Sequence, residues 1–204
     1  MCGRYAFEPG NDFYDHFDIS NRLDYLAKSY TVSPGQIMPV ITRHSPNQVW
    51  LMKWGLIPFW AKDQKIGEKM FNARAESVSQ KPAFRRAFTT QRCLVPANGF
   101  YEWKQEKDKK VPFFFKIKKR PLFAFAGLYD IWIEPVSGKE IYSYTVITTA
   151  PNDLVKPVHD RMPVILTQNN ETVWLDHSTS VNILNSLPCP SLENLTAAPA
   201  GANI

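Results

Sequence analysis

Sixteen prolines lie along the 204 residues, and they argue against long uninterrupted helices. A proline inside a helix removes a hydrogen bond and clashes with the preceding turn. The stretches between them are rich in aromatic and β-branched residues, which suit strands. Residues 48–54, 112–118, 122–132, 142–149 and 164–166 read as strands. Val136-Ser137-Gly138-Lys139 lies between two of them and reads as a hairpin loop. Four short helices are expected. Asn11 caps one with Phe13, Tyr14 and Phe17 on one face; another covers residues 82–88; Asn170 caps 171–175; Ser180 caps 181–187, which stops at Pro188. The tail after Pro188 has little periodicity. The expected fold class is α+β, mainly antiparallel strands forming a barrel-like sheet with a few short peripheral helices.

A single domain over residues 1–204 fits this length, and a hydrophobic share of 44% is enough to bury a core. Trp50, Trp54, Trp132 and Trp174 are expected in that core, with Cys93 as a buried thiol. The other cysteines are Cys2 and Cys189; an odd count without a CxxC pair predicts a reduced, intracellular protein. No basic stretch leads into an apolar run at the N-terminus, so no signal peptide and no membrane association are expected. His16, His44 and His177 lack ligand spacing, so neither a metal nor a cofactor is expected. A net charge of +5 permits an anionic partner and favours nucleic acid only slightly.

The second residue carries the sharpest chemical implication. If Met1 is removed, Cys2 presents a free α-amine beside its thiol. Such a 1,2-aminothiol can form an imine with an aldehyde, and the thiol can then close a thiazolidine ring. Four segments look more like site than core: Cys2-Gly3-Arg4, Phe71-Asn72-Ala73-Arg74-Ala75-Glu76-Ser77, Pro96-Ala97-Asn98-Gly99-Phe100-Tyr101-Glu102-Trp103 and His159-Asp160-Arg161-Met162-Pro163. They supply a nucleophile, an amide, a carboxylate, an imidazole and guanidinium groups.

In this order the four segments resemble the SRAP family (SOS-response-associated peptidase). Tyr30-Thr31-Val32-Ser33-Pro34-Gly35 and Lys53-Trp54-Gly55-Leu56-Ile57-Pro58 extend the likeness over nearly the whole chain. Thr31 stands where the family usually has asparagine. The resemblance implies recognition of abasic sites in single-stranded DNA, a cross-link through the N-terminal cysteine, and self-cleavage of preceding residues. Matched motif by motif, it implies Cys2, Asn72, Glu102 and His159 as the active residues. The Cys2 α-amine would be partly neutral near pH 7, its ordinary pKa being about 8. Glu102 and His159 could move the protons of imine formation, and Asn72 could hold the opened sugar or the Cys2 backbone. Arg4, Arg74 and Arg161 fall inside the motifs and suit phosphate; Arg85 and Arg86 could extend that track. Trp60, Phe59 and Pro34 are candidates for stacking on flanking bases. The expected partner is single-stranded DNA containing abasic sites, bound by a monomer that is cytoplasmic and nucleoid-associated when on DNA.

Blander readings compete. His159 could be a loop histidine bonded to Asp160, Arg74 and Glu76 a structural ion pair, and Arg85 and Arg86 a solvated helix face. Two other functions are open as well. An N-terminal-cysteine amidohydrolase of glutaminase type also begins Met-Cys-Gly, but its later motifs differ. A non-catalytic single-strand-binding module explains charge and aromatics but leaves Cys2 and Glu102 idle.

Overall fold

The computed structural model describes residues 2–179 and 195–200. In chain order the elements are β1 (Arg4–Phe7), α1 (Phe13–His16), β2 (Ser29–Val32), β3 (Ile37–Thr42), β4 (Ser45–Trp54), β5 (Asn72–Arg74), α2 (Arg85–Thr90), β6 (Arg92–Ala97), β7 (Gly99–Glu106), β8 (Lys109–Ile117), β9 (Phe123–Ile133), β10 (Glu140–Thr149), β11 (Met162–Pro163), α3 (Gln168–Leu175) and β12 (Leu195–Pro199). A 3-10 turn over Gln64–Lys69 precedes β5.

The strands form two sheets. One runs β12-β8-β7-β1-β2. The other runs β11-β10-β4-β3-β6-β9, and a further pairing of β10 with β9 closes five of its strands into a barrel. Closure covers most of the edges of those five strands, except along the upstream part of β4. All pairings are antiparallel except those of β10 with β4 and with β5. The fold is therefore α+β and barrel-like, as the prolines and aromatics imply.

One continuous core joins the sheets. Tyr5 of β1 lies edge-on to Trp54 of β4 and to Phe125 of β9, with centroids 5.1 and 5.8 Å away. Phe100 of β7 stacks on Phe115 of β8 at 4.9 Å and meets Phe125 edge-on at 6.3 Å. Aromatic contacts of this kind add about 0.5–1.5 kcal/mol each beyond area burial. Cys93 is buried within this core.

Several local expectations need correction. The position before α1 is Asp12, which makes no side-chain cap bond, so Asn11 is not the cap. α2 starts at Arg85, after a turn containing Pro82. Thr167, not Asn170, caps α3: its hydroxyl accepts from the Asn170 N–H at 3.3 Å. The helix expected over 181–187 lies outside the described residues, as does Cys189. Of residues 164–166 only Ile165 forms a bridge, to Phe125, and the named strand is β11 just upstream. Within the weakly patterned tail, β12 pairs with β8. Trp54, Trp132 and Trp174 are buried, but Trp50 is 38% exposed and stacks on Tyr142. β4 meets β10 only at Lys53 and Trp54, so no strand covers that side of β4 farther upstream.

One glycine contact helps to place the site. Gly55 follows β4 with φ of +128°, and a Cβ there would fall 2.6 Å from the Gly67 carbonyl oxygen. The two bare backbones can therefore touch. That contact holds the turn leading into β5, where the Leu56 N–H also donates to the Met70 carbonyl at 3.1 Å.

Candidate active site

Two sheets supply the four motif residues. On the five-stranded sheet, β1 pairs with β7 through Arg4 opposite Tyr101. Continuing that register brings the Cys2-Gly3 backbone alongside Glu102. On the barrel side, Asn72 opens β5 opposite Val146 of β10, and His159 lies in the loop leading to β11.

The side chains converge. The Asn72 Nδ2 donates to the Cys2 carbonyl at 2.7 Å. His159 Nε2 lies 3.7 Å from Glu102 Oε2. Cys2 and Glu102 are 1% and 2% exposed, so both lie beneath the surface. Asn72 Oδ1 and Glu102 Oε1 are buried without a hydrogen-bond partner. Two unpaired acceptors are costly unless a donor is meant to arrive.

Burial sets the protonation states. It pushes the Cys2 thiol well above its ordinary range, and the Glu102 carboxylate adds to the effect. The thiol therefore stays protonated, and its Sγ–H points to the Arg4 carbonyl at 3.7 Å. Burial also raises Glu102, to about 7, where the carboxyl can give or take a proton near neutrality. The same cause lowers His159, while the Asp160 carboxylate opposes it. His159 Nδ1 accepts from the Arg161 backbone N–H at 3.0 Å and lies 2.9 Å from Asp160 Oδ1. The imidazole thus contacts Asp160 and also approaches Glu102. The two readings of this residue are compatible.

The proposed DNA contacts are arranged less uniformly. Arg74 and Arg85 are exposed, and Arg4 and Pro34 are partly so. Trp60 and Phe59 are 48% and 51% exposed. Arg86 places its guanidinium 4.5 Å above the Phe59 ring and donates to Asp130 at 3.1 Å. Arg161 is the exception. Both its terminal nitrogens donate to the Glu76 carboxylate, at 2.7 and 3.0 Å, and Nη2 also reaches the Thr148 carbonyl at 2.6 Å. The hydrogen-bonded partner of Glu76 is thus Arg161 rather than Arg74.

Two features escaped the sequence reading. The buried Asp130 carboxylate accepts from the Phe59 N–H at 3.0 Å, from Arg86, and from the Ile131 N–H at 2.9 Å. It ties the Phe59-Trp60 turn to α2. A lone acid in the aromatic stretch Phe123–Ile133 was the available signal. The second is the buried pair of Tyr5 and Tyr144 hydroxyls, 2.8 Å apart. Their separation by 139 positions in the chain left no sequence signal.

Among the described residues, no group of three or more His, Cys, Asp or Glu is placed to hold a metal ion. No helix there is long and apolar enough to cross a membrane.

The fold and the sequence both recur in known proteins. A protein from Bacteroides thetaiotaomicron, known from its crystal structure, superposes with a TM-score of 0.91 at 30% identity, covering 98% of this chain and 93% of its own. The abasic site processing protein YoqW of Bacillus subtilis is 48% identical over 196 residues, covering 93% of this chain and 87% of YoqW. The abasic site processing protein HMCES of Xenopus tropicalis is 34% identical over 75% of this chain and 55% of its own length. The family model described as SOS response associated peptidase matches residues 1–203. A match of that extent, on a chain whose motif residues meet across two sheets, makes this protein a member of the SOS response associated peptidase (SRAP) family.

Proposed function

We propose that the protein processes abasic sites in single-stranded DNA by a covalent cross-link through Cys2, once Met1 has been removed. The observation that carries this reading is the hydrogen bond from Asn72 to the Cys2 carbonyl, with Glu102 and His159 alongside. The names of YoqW and HMCES support the substrate class.

The chemistry follows from the groups present. An abasic deoxyribose opens to an aldehyde. The Cys2 α-nitrogen adds to the aldehyde carbon, giving a carbinolamine. Protonation of its hydroxyl releases water and leaves a protonated imine. The Cys2 sulfur then adds to the imine carbon, and the thiol proton passes to Glu102. One C–N bond and one C–S bond form, and one water leaves. Glu102, poised near neutrality, supplies and recovers the protons. Asn72 holds the Cys2 backbone, so the amine and thiol face a fixed point. After Met1 is lost, the new amine offers donors to the unpaired Glu102 Oε1 and Asn72 Oδ1.

DNA is held by the exposed Arg74 and Arg85, by Arg4, and by the Phe59-Trp60 turn, with Pro34 at a second turn. Stacking on such aromatics tolerates any base, as a reader of damage requires. Met1 and any longer leader are removed by this site itself or by an aminopeptidase. Under this reading the chain acts as a monomer.

The test is incubation of Met1-free protein with an abasic single-stranded oligonucleotide. A heat-stable adduct is expected, with the intact mass of protein plus DNA less one water. No adduct, or an equal yield from Cys2→Ala, would refute the cross-link. Ammonia release from glutamine would instead revive the amidohydrolase reading.

A further inference from the structure

Glu102 is 2% exposed, so solvent cannot easily renew its proton. The imidazole of His159, whose side chain is 25% exposed, lies between that carboxyl and a carboxylate that is 87% exposed, that of Asp160. Nε2 faces Glu102 Oε2 at 3.7 Å and Nδ1 faces Asp160 Oδ1 at 2.9 Å. We infer that Asp160 is a positioning residue that makes His159 a proton relay between solvent and the buried Glu102. The inference rests on the cross-linking function proposed above and adds how its acid is recharged.

Nδ1 has two neighbours of opposite kind. The Arg161 N–H at 3.0 Å suits a bare Nδ1, and the Asp160 carboxylate at 2.9 Å suits a protonated one. One nitrogen cannot satisfy both at once. In the neutral ring that accepts from Arg161, the proton sits on Nε2 and faces Glu102. Uptake of a proton at Nδ1 gives an imidazolium that donates to Asp160 on one side and offers its Nε2–H to Glu102 on the other.

The cycle balances. Glu102 gives its proton to the departing carbinolamine hydroxyl, which leaves as water, and becomes a carboxylate. His159 Nδ1 takes a proton from solvent, steadied by Asp160. Nε2 passes its own proton to Glu102 Oε2. One proton has moved from solvent to the leaving water, and the nitrogen is left as a protonated imine. Glu102 is again protonated, and His159 is neutral with its proton on Nδ1. As the sulfur adds, Glu102 returns its proton to Nε2 and Nδ1 releases one to solvent, which restores the first tautomer, and the Glu102 carboxylate takes the thiol proton.

Two cations lie nearby: the N-terminal α-amine, which lowers both His159 and Glu102, and Arg161, whose guanidinium is held by Glu76 and Thr148. Glu102 from β7 and Asp160 are therefore the acidic groups facing the ring. Asp160 favours the charged imidazole against the burial that disfavours it.

The experiment compares Met1-free wild type, Asp160→Asn and Asp160→Glu. The His159 ring is titrated by NMR, and the cross-linking rate on saturating abasic oligonucleotide is followed against pH. Asp160→Asn is expected to lower the His159 midpoint and to move the rate profile to lower pH by the same amount. Asp160→Glu is expected to restore both, and high salt to shrink the difference, because the carboxylate is exposed. An unchanged midpoint in Asp160→Asn overturns the inference. So does a midpoint that moves while the rate profile stays. The second of those results needs a wild type that cross-links; the first does not. A wild type that forms no adduct refutes the function itself, and the relay with it.

Discussion

The Asn72 amide donates to the Cys2 carbonyl at 2.7 Å, and this bond ties β5 of the barrel to the chain just before β1. A carbonyl held in this way fixes the carbon that bears both the amine and the thiol. Asn72→Asp cannot donate there and adds a charge. Its cross-linking rate on saturating abasic DNA should fall by about a hundredfold, the usual cost of a misplacement near 1 Å. Asn72→Ala should lose about 1 kcal/mol of stability from the missing bond. Single-turnover gel assays and urea unfolding check the two numbers.

Glu102 has a pH signature of its own. Burial raises its pKa from 4.5 to about 7, so the folded state holds a proton that the unfolded state has lost within that window. Stability from this group is therefore fully present below about 4.5 and is lost as pH rises to about 7. Glu102→Gln removes the dependence. Its melting temperature should gain on wild type across the window, with each kcal/mol equal to about 2–4 °C for a chain of this size. Cross-linking should collapse at every pH, because Gln cannot transfer the proton. Calorimetry at both ends of the window would refute this if the two proteins shift in parallel.

Arg161 and Arg74 should behave oppositely. The Arg161 guanidinium is committed to Glu76 and Thr148, whereas Arg74 is exposed. Arg161→Ala should destabilise the fold by about 1–3 kcal/mol, through the carbonyl and carboxylate left without their donor. Arg74→Ala should leave stability nearly unchanged. It should lower the slope of log affinity against log salt for single-stranded DNA by about 0.7, the value for one lost phosphate contact. Fluorescence anisotropy across a salt series, beside thermal melts, separates the two. A salt slope that drops in Arg161→Ala, with no loss of stability, would reverse the assignment.

Asp130 should link fold to DNA affinity. Its carboxylate holds the Phe59 N–H and the Arg86 guanidinium, so Asp130→Ala frees the turn that carries Trp60. The expected losses are about 1–3 kcal/mol of stability for unpaired donors and a weaker grip on undamaged single strands. Trp60→Ala should lose only affinity, about 1–3 kcal/mol if one base stacks there. Equal binding by Trp60→Ala on two unrelated sequences, matching wild type, would remove Trp60 from the interface.

Local features were legible in the sequence where local chemistry determines them. The loop at Val136-Ser137-Gly138-Lys139 does join β9 to β10, and the Gly138 φ of +71° explains the glycine. The four site motifs were readable because each is contiguous. That they meet was not readable, because the meeting depends on β1 pairing with β7 and on β5 pairing with β10. Barrel closure was hidden for the same reason: β4 and β10 are distant in sequence and run parallel. Trp50 reads as core by composition, and its exposure follows from where β4 loses its neighbour. Arg161 reads as a free fork until its fold partners, Glu76 and Thr148, are known.

The division of the site between two sheets has a kinetic consequence. Cys2 and Glu102 arrive with β1 and β7, and Asn72 and His159 arrive with the β10 barrel. A refolding chain could complete either sheet and still lack a reactive centre. Under the proposed function, the fast site-assisted reaction with abasic DNA should therefore return after the strand signal, in step with the docking of the sheets. Under the proposed cross-linking, a half-folded chain would lack the proton transfer that Glu102 and His159 supply, and it would capture damaged DNA only slowly.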